Sequence, residues 1–301
     1  VGVTGLQYST RLFLLSSGTC TITASHSGDI LYMAATSVSR SFAVNPAPVV
    51  TCNPAVATDD CDNDGIPNGV ESSVGTNPAV KDNNVLGSST LFVMQLYRDV
   101  LYGETTATDA FGYANAINNT LLTRGQVAEE FMTGPEYSQV VAPVIRLYLA
   151  TFRRLPDAAG LRYWVQTCKS TRNLVAVADA FAGSNEFQLT YGSLYDTAFI
   201  ELLYNNVLGR GSDPGGLNSW RTALGTQSRG SVLLGFSESL EHQNRQAANV
   251  KVVALYSGLL ARAPSQAEYD AALAALAGGS SVAALATQII AGSEYRARFL
   301  P

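Results

Sequence analysis

The larger, C-terminal part of the chain repeats one helical pattern. A Leu-Tyr pair recurs at intervals of roughly 50 to 56 residues, the length of a small helical unit. The recurring positions are Leu96-Tyr97, Leu147-Tyr148, Leu203-Tyr204 and Leu255-Tyr256. Six residues after each Tyr stand Gly103, Arg154, Arg210 and Arg262. These columns predict a mainly α fold, built as a four-unit helical repeat array.

Further columns fall in the same register. Phe131, Phe181, Phe236 and Ile289 stand five residues before Glu136, Glu186, Glu241 and Glu294, which Tyr137, Phe187, His242 and Tyr295 follow. A planar guanidinium favours a bidentate carboxylate, so we expect each repeated Arg to reach the Glu near the end of its unit. The alternative is that both side chains are solvated. The predicted units span about 91–143, 144–198, 199–250 and 251–301, within a helical domain of residues 91–301.

Within a unit the apolar spacing is helical. Val144, Leu147, Tyr148 and Phe152 share one predicted face, and Leu174, Val177, Ala178 and Phe181 share another. Asp157 and Thr171 stand where a side-chain oxygen can cap the helix that follows. We therefore expect three to four short helices per unit, with the aromatic and Leu columns in the helix core.

The phrases Arg154-Leu-Pro-Asp-Ala-Ala-Gly-Leu-Arg-Tyr-Trp164 and Arg210-Gly-Ser-Asp-Pro-Gly-Gly-Leu-Asn-Ser-Trp220 carry a family resemblance. They resemble the bacterial domain of unknown function 4214, which itself is similar to the phycobilisome linker fold. The resemblance covers about two-thirds of the chain. Units one and four depart from it, since both lack the Trp and unit one lacks the Arg.

Upstream of the repeats, one run places oxygen ligands at the spacing of a calcium loop. Counting Asp60 as position 1, the predicted ligands are Asp60, Asp62, Asp64, the Ile66 carbonyl, Asn68 and Glu71, with Gly65 at position 6. A hard cation needs six to eight oxygens from a compact turn, and the glycine lets the chain reverse tightly. The sequence predicts one bound Ca2+. The alternative is an acidic, solvated turn.

The flanks of this loop differ from those of an EF-hand, because the three prolines of residues 45–54 disfavour an entering helix. We expect a calcium-stiffened linker over residues 46–90. The run Asp64-Gly-Ile-Pro-Asn-Gly-Val-Glu71, followed by Gly75-Thr-Asn-Pro78, resembles the thrombospondin type 3 style calcium repeats of bacterial surface proteins. Cys52 and Cys61 bracket a short segment here. They can close it as a disulfide; the alternative, a zinc site, lacks a nearby His.

The pattern of residues 11–44 predicts strands, within a first domain of residues 1–45. The predicted strands are Leu12–Leu15, Cys20–Ala24, Ile30–Met33 and Val38–Val44, with a turn at Ser27–Asp29. Ser17–Ala24 and Val38–Val44 resemble the last part of a bacterial immunoglobulin-like surface domain. That implies a β-sandwich fragment, about half of a domain that normally needs about 100 residues. Because the chain opens at Val1 without an initiator Met or signal peptide, we expect it to be part of a larger exported polypeptide, whose missing residues or another chain complete the sandwich.

The composition limits the classes of partner that the chain is expected to bind. The chain has 301 residues and a net charge of -5, with no clustered basic face for nucleic acid and no apolar run that could span a bilayer. Its three lysines, Lys81, Lys169 and Lys251, are few for a chain of this length, which is typical of a secreted protein. The predicted location is extracellular, at the cell surface.

The sequence offers no convergent catalytic set. Its two histidines, His26 and His242, lie in different predicted domains, and His242 stands in a column that is otherwise aromatic. We therefore expect no enzyme. The interpretation is an extracellular structural protein, a surface-layer or filament subunit stabilised by calcium, whose partners are copies of itself or other cell-surface components. The alternative is a glycan-binding adhesin that uses Trp164 or Trp220 as stacking platforms.

Overall fold

The computed structural model describes residues 18–26, 35–44, 53–62, 66–80 and 85–299. The chain divides into two compact units, Val1–Asn53 and Pro54–Pro301. The predicted strands Leu12–Leu15 and Ile30–Met33 lie outside the described residues. The predicted domain boundaries at residues 45 and 90 stay predictions.

The first compact unit, Val1–Asn53, contains a two-stranded antiparallel sheet. Its strands are β1 (Gly18–His26) and β2 (Ala35–Val44), in a register that pairs Gly18 with Val44 and Thr21 with Ser41. Hydroxyl pairs cross the exposed face, with Thr21 Oγ1 2.7 Å from Ser41 Oγ, a type of cross-strand pair that stabilises a ladder. This sheet covers two of the four predicted strands.

The second unit is helical, as the periodicity predicts. The helices are α1 (Asn68–Val74), α2 (Ser89–Val100), α3 (Ala107–Asn118), α4 (Arg124–Phe131), α5 (Ala142–Phe152), α6 (Ala158–Thr171), α7 (Leu174–Ala182), α8 (Asn185–Phe187), α9 (Asp196–Leu203), α10 (Pro214–Leu224), α11 (Arg229–Ser237), α12 (Leu240–Leu259), α13 (Gln266–Ala277), α14 (Val282–Ala291) and α15 (Ser293–Ala297). Single π-helical turns span Tyr137–Val141, Gln188–Gly192 and Tyr204–Leu208. The mainly α fold class is confirmed.

Most of these helices begin at a side-chain cap. The predicted cap Asp157 accepts a 2.8 Å bond from the Gly160 N–H at the start of α6. The prediction for Thr171 is wrong. Thr171 ends α6, and Asn173 caps α7 by accepting from the Ala176 N–H, because the helix begins two residues later than the pattern indicated.

Aromatic clusters form the centre of the first three predicted units. Ring centroids lie 4.8 Å apart for Tyr97 and Phe131, 4.8 Å for Tyr148 and Phe181, and 5.0 Å for Tyr204 and Phe236. Each pair is edge-to-face, the arrangement that the ring quadrupoles favour. A third ring packs on the same Phe, 5.4 Å away for Tyr113, 5.1 Å for Trp164 and 4.8 Å for Trp220. Tyr113 thus occupies the position at which the second and third repeat units have Trp.

The repeated arginines form the predicted ion pairs. Arg154 binds Glu186 in a bidentate fork at 2.8 and 2.9 Å, and the same fork joins Arg210 to Glu241 and Arg262 to Glu294. The guanidinium also lies over the ring of the unit's Tyr, 5.0 Å from the centroid in the case of Arg210 and Tyr204. We call each of these pairs a clasp. Arg210 is 45% exposed and Glu241 43%, so solvent screens this clasp and it contributes little to stability.

In the first repeat unit, Gly103 stands in place of the Arg. A lysine from α6 supplies the positive charge beside Glu136 instead. Lys169 Nζ lies 3.0 Å from Glu136 Oε1 and donates to the Leu101 carbonyl at 2.8 Å. A Cβ added to Gly103 would stand 2.7 Å from that ammonium. The glutamate of the column therefore keeps a cationic partner, although the cation comes from the next unit.

The last predicted repeat unit packs against the first. α14 lies along α4, and α11 lies along α7 in the same way. A Cβ on Gly125 in α4 would stand 2.2 Å from the Ala283 carbonyl oxygen, and one on Gly230 in α11 would stand 2.6 Å from Asp179 Cα. In an open solenoid each repeat contacts only its neighbours. Here the first and last predicted units are in contact, and the helices close into one body.

Substitutions around Glu136 test whether Lys169 takes the place of the missing Arg in repeat unit one. Lys169→Ala should lower the free energy of unfolding by about 1 kcal/mol, because Glu136 loses a half-buried partner. Gly103→Arg should be destabilising alone, since it displaces the Lys169 ammonium, and should restore stability in the Lys169→Ala background. Urea unfolding of the four proteins measures this coupling. Gly112→Arg, at a position with open space, is the control and should not couple to Lys169→Ala.

Acid unfolding should report the charges around Arg262. Hydrogen bonds from Arg262 at 2.7 and 2.8 Å hold the pKa of Glu268 down at about 2. The unfolded carboxyl has a pKa of about 4.3, so the unfolded chain takes up this proton first as the pH falls. The stabilisation is complete above about pH 4.3 and is lost as the pH falls towards 2.

We expect Glu268→Gln to be less stable than the parent at pH 7 by about 1 kcal/mol or less. The difference should disappear between about pH 4.3 and 2. Urea titrations across this range, followed by circular dichroism, measure it. Parent and variant curves that stay parallel throughout would contradict the assignment.

Candidate calcium site

The described part of the calcium loop is closed by backbone hydrogen bonds. The Asn68 N–H donates to the Asp59 carbonyl at 2.7 Å, and the Gly69 N–H donates to the Ala57 carbonyl at 3.0 Å. A Cβ on Gly69 would stand 2.7 Å from Ala57 Cβ, so only glycine permits this approach. The two ends of the loop therefore lie side by side, as convergence on one ion requires.

Asn68 braces the loop with its side chain. Its Nδ2 donates to the Val56 carbonyl at 2.9 Å, and its Oδ1 accepts from the Cys61 N–H at 3.1 Å. The residue is fully buried. Because Oδ1 already accepts one bond, a metal contact at this ninth position would run through its other lone pair or through a water, as is common there.

Glu71 and Ile66 are also fully buried, whereas Asp60 and Asp62 are half-buried. Glu71 lies in the first turn of α1, which begins within the predicted loop at Asn68, and Gly75 ends that helix in the left-handed conformation. A buried carboxylate is stabilised by a cation or by hydrogen-bond donors. The donor set is carboxylate, amide and backbone oxygen, the chemistry that suits Ca2+.

Not every predicted ligand can be placed. Asp64 and Gly65 lie outside the described residues. Within those residues, no group of three His, Cys, Asp or Glu side chains is arranged to hold a metal. The structure therefore brings the two ends of the loop together through Asn68, and calcium binding stays a prediction.

Cys61 is disulfide-bonded. The Asn68 Nδ2 lies 3.3 Å from Cys61 Sγ, so the covalent bond and the amide brace meet at the same point of the loop. The predicted partner, Cys52, lies outside the described residues. Cys168 is a buried free thiol in α6, and burial raises its pKa.

The segment that follows the loop packs on the helical core. Val70 and Leu86 contact core side chains, and Val85 is fully buried. Arg124, at the start of α4, donates to the carbonyls of Val85 and Leu86 at 3.2 and 2.9 Å. The described residues of the predicted linker after the loop are thus anchored on the helices.

His242 is packed in the interior of the helical unit. It is 1% exposed, and its Nδ1 lies 3.1 Å from the Val207 carbonyl, which only accepts, so Nδ1 carries the hydrogen. Burial lowers the pKa of His242. The ring takes the place that Phe187 and Tyr295 have in the neighbouring repeat units, and both of those rings are buried as well.

Residues 178–246 match the family profile described as Domain of unknown function (DUF4214). This segment runs from within α7 to within α12, so it contains the close α7–α11 contact at Gly230 and the clasp of Arg210 with Glu241. The matched segment begins and ends earlier than the predicted repeat unit 199–250. It includes most of α7, because α7 packs on α11 of that unit. No curated protein and no solved structure matches the chain. Among the described residues, no helix has the length and apolar character needed to cross a bilayer.

Calcium should raise the thermal stability of the chain by mass action. At a free calcium concentration of about 100 times Kd, one site adds about 2.7 kcal/mol to the free energy of unfolding. Asp62→Asn and Asp64→Asn should each remove most of that gain, because each deletes a charged ligand. Thermal unfolding with calcium and with chelator measures it, together with protease cleavage within residues 53–80.

Two further variants distinguish the stabilisation by bound calcium from the stabilisation by the Asn68 side-chain hydrogen bonds. Asp270→Asn, on the exposed side of α13, should keep the full response to calcium. Asn68→Ala should be destabilised by about 1 to 3 kcal/mol even in chelator, because it leaves the Val56 carbonyl and the Cys61 N–H without their partner. An equal calcium response in Asp62→Asn and the parent would show that the loop is only a solvated turn.

Proposed function

We propose that this chain is part of an extracellular structural protein, a subunit of a surface layer or filament that calcium stabilises. The single observation that carries the proposal is the recurrence of one Tyr–Phe cluster and one Arg–Glu clasp along the helical unit. A site that evolves for catalysis needs one convergent set of groups, whereas repetition of the same set supports a structural role. We infer four repeat units and no enzymatic activity.

Three finer assignments belong to the same proposal. The strands β1 and β2 form part of an immunoglobulin-like sandwich, and the loop at residues 60–71 is a thrombospondin type 3 style repeat that binds one Ca2+. The chain is located at the cell surface. Its few lysines and the oxygen-rich spacing of the loop support these assignments.

Large exposed apolar side chains on the helical unit supply surface for self-association. Leu189 is 89% exposed, Tyr195 74% and Leu240 72%. Exposed apolar side chains are hydrated at a cost that association removes. We therefore propose copies of the same chain as the first partner, with other cell-surface components as the second.

A glycan-binding adhesin is the alternative function. Trp164 and Trp220 are half-buried and pack on Phe181 and Phe236, so neither presents a full ring face to a ligand. Tyr163 favours the alternative, because its ring is 60% exposed. Trp164 holds it edge-to-face at 4.9 Å. Aromatic rings of this kind are platforms on which a sugar stacks.

Electron microscopy of purified chain, with calcium and with chelator, separates the two functions. Ordered polymers that dissolve in chelator support assembly. The variants Leu189→Ser and Leu240→Ser should weaken the polymers, while Tyr163→Ser should leave them intact. Dispersed monomers that bind a glycan array, with binding lost in Tyr163→Ser, would favour the adhesin and contradict the first proposal.

A further inference from the structure

The fourth predicted unit lacks the aromatic cluster of the other three. In units two and three the Trp stands ten residues after the clasp Arg, and the corresponding residue in unit four is Ala272. The Phe of the cluster is replaced by Ile289. A cavity of about 270 Å³ is lined by Ile289 and by Glu268, which lies one helical turn before Ala272.

The third unit shows what the missing ring touches. The Trp220 ring stacks on Phe236 at 4.8 Å and covers Gly235, where an added Cβ would stand 2.4 Å from a ring carbon. Burial raises the pKa of the Tyr204 hydroxyl, and the Trp220 indole beside it partly offsets that rise, as Trp164 does for Tyr148. The ring therefore has three neighbours: the Tyr, the Phe and the residue before the Phe.

In the fourth unit the counterparts of all three neighbours line the cavity. They are Tyr256, Ile289 and Gln288. Glu268, one turn before Ala272 on α13, lines it too. A helical side chain covers the surface one turn N-terminal to its own Cα, so a ring at position 272 would lie over Glu268. The cavity thus occupies the place that the Trp ring fills in units two and three.

The walls of the cavity suit a flat ring with one polar edge. Leu260, Leu285 and Ile289 supply apolar contact, and Tyr256 offers a ring for stacking. Glu268 and Glu294 stand at the same cavity, and both accept hydrogen bonds from Arg262, which fixes their carboxylates in place. Fixed carboxylate oxygens and a Tyr hydroxyl favour a ligand that donates a hydrogen bond.

We propose that this cavity binds a planar aromatic ring that carries an N–H or O–H donor, the chemical class of indole. The ring inserts between Tyr256 and Ile289, and its donor bonds the Tyr256 hydroxyl or the Glu268 carboxylate. The inference depends on the correspondence between units and is independent of whether the chain polymerises.

Isothermal titration of the chain with indole tests the proposal. We expect saturable binding of one equivalent with a Kd of roughly 1 mM or tighter, the range open to so small a ligand. Gln288→Trp, at an exposed position of the cavity lining, should block the site and weaken binding about tenfold or more. Ala271→Trp places the same ring on the exposed side of α13 and should leave the Kd unchanged.

A second measurement does not depend on a ligand. Ala272→Trp should fill the cavity from within, raise the Tm and abolish indole binding. If that variant does not fold, Gln288→Trp still decides. N-acetyl-tryptophanamide in place of indole separates the sources of the ring: comparable binding indicates a protein side chain, and indole alone indicates a free small molecule. Absence of saturable binding of both compounds, or equal indole affinity in Gln288→Trp and the parent, would overturn the proposal.

Discussion

Close backbone approach at a few glycines holds the helical unit together. Gly125 lets α4 lie against α14, and Gly230 lets α11 lie against α7. Gly258 in α12 lies against the Asp99 carbonyl oxygen of α2, where an added Cβ would stand 2.5 Å away. Helices that approach this closely exclude side chains and water from the contact, so any larger residue forces the pair apart. The Phe of each aromatic cluster lies on one of the helices that these contacts hold: Phe131 on α4, Phe181 on α7 and Phe236 on α11.

Charge is retained at the clasp positions even where the residue type changes. Lys169 replaces the absent Arg beside Glu136, and in the fourth unit Glu268 adds a second carboxylate to Arg262. Beyond α15, Arg298 binds Asp99 of α2 at 3.0 and 2.9 Å. Asp99 is 1% exposed, and loss of one partner of a buried pair costs about 3 to 5 kcal/mol. This pair therefore secures the contact of the segment after α15 with α2 far more than the exposed clasps do.

The columns of the sequence predicted which side chains meet, and most of those contacts are present. The apolar faces of α5 and α7 and the Asp157 cap are local, so a spacing of three or four residues determines the neighbours. The Arg154 clasp falls within one repeat unit, where the recurring columns predicted it. Tyr113 and Lys169 were missed because neither matches its column by residue type. For the calcium loop, spacing predicted the ligands, while the bracing role of Asn68 depends on a carbonyl twelve residues away.

The sequence by itself determined the helical class, the phase of the aromatic columns and the oxygen-rich loop, since each depends on residues a few positions apart. Only the tertiary structure decided that the helices close into one body, because the contact of α4 with α14 joins residues more than 150 positions apart, as between Ala283 and Glu129. It also decided that the place of the missing Trp is a cavity instead of a collapsed core. Ala272 is smaller than Trp and Ile289 is smaller than Phe, and the packed helices around them are held apart by contacts elsewhere.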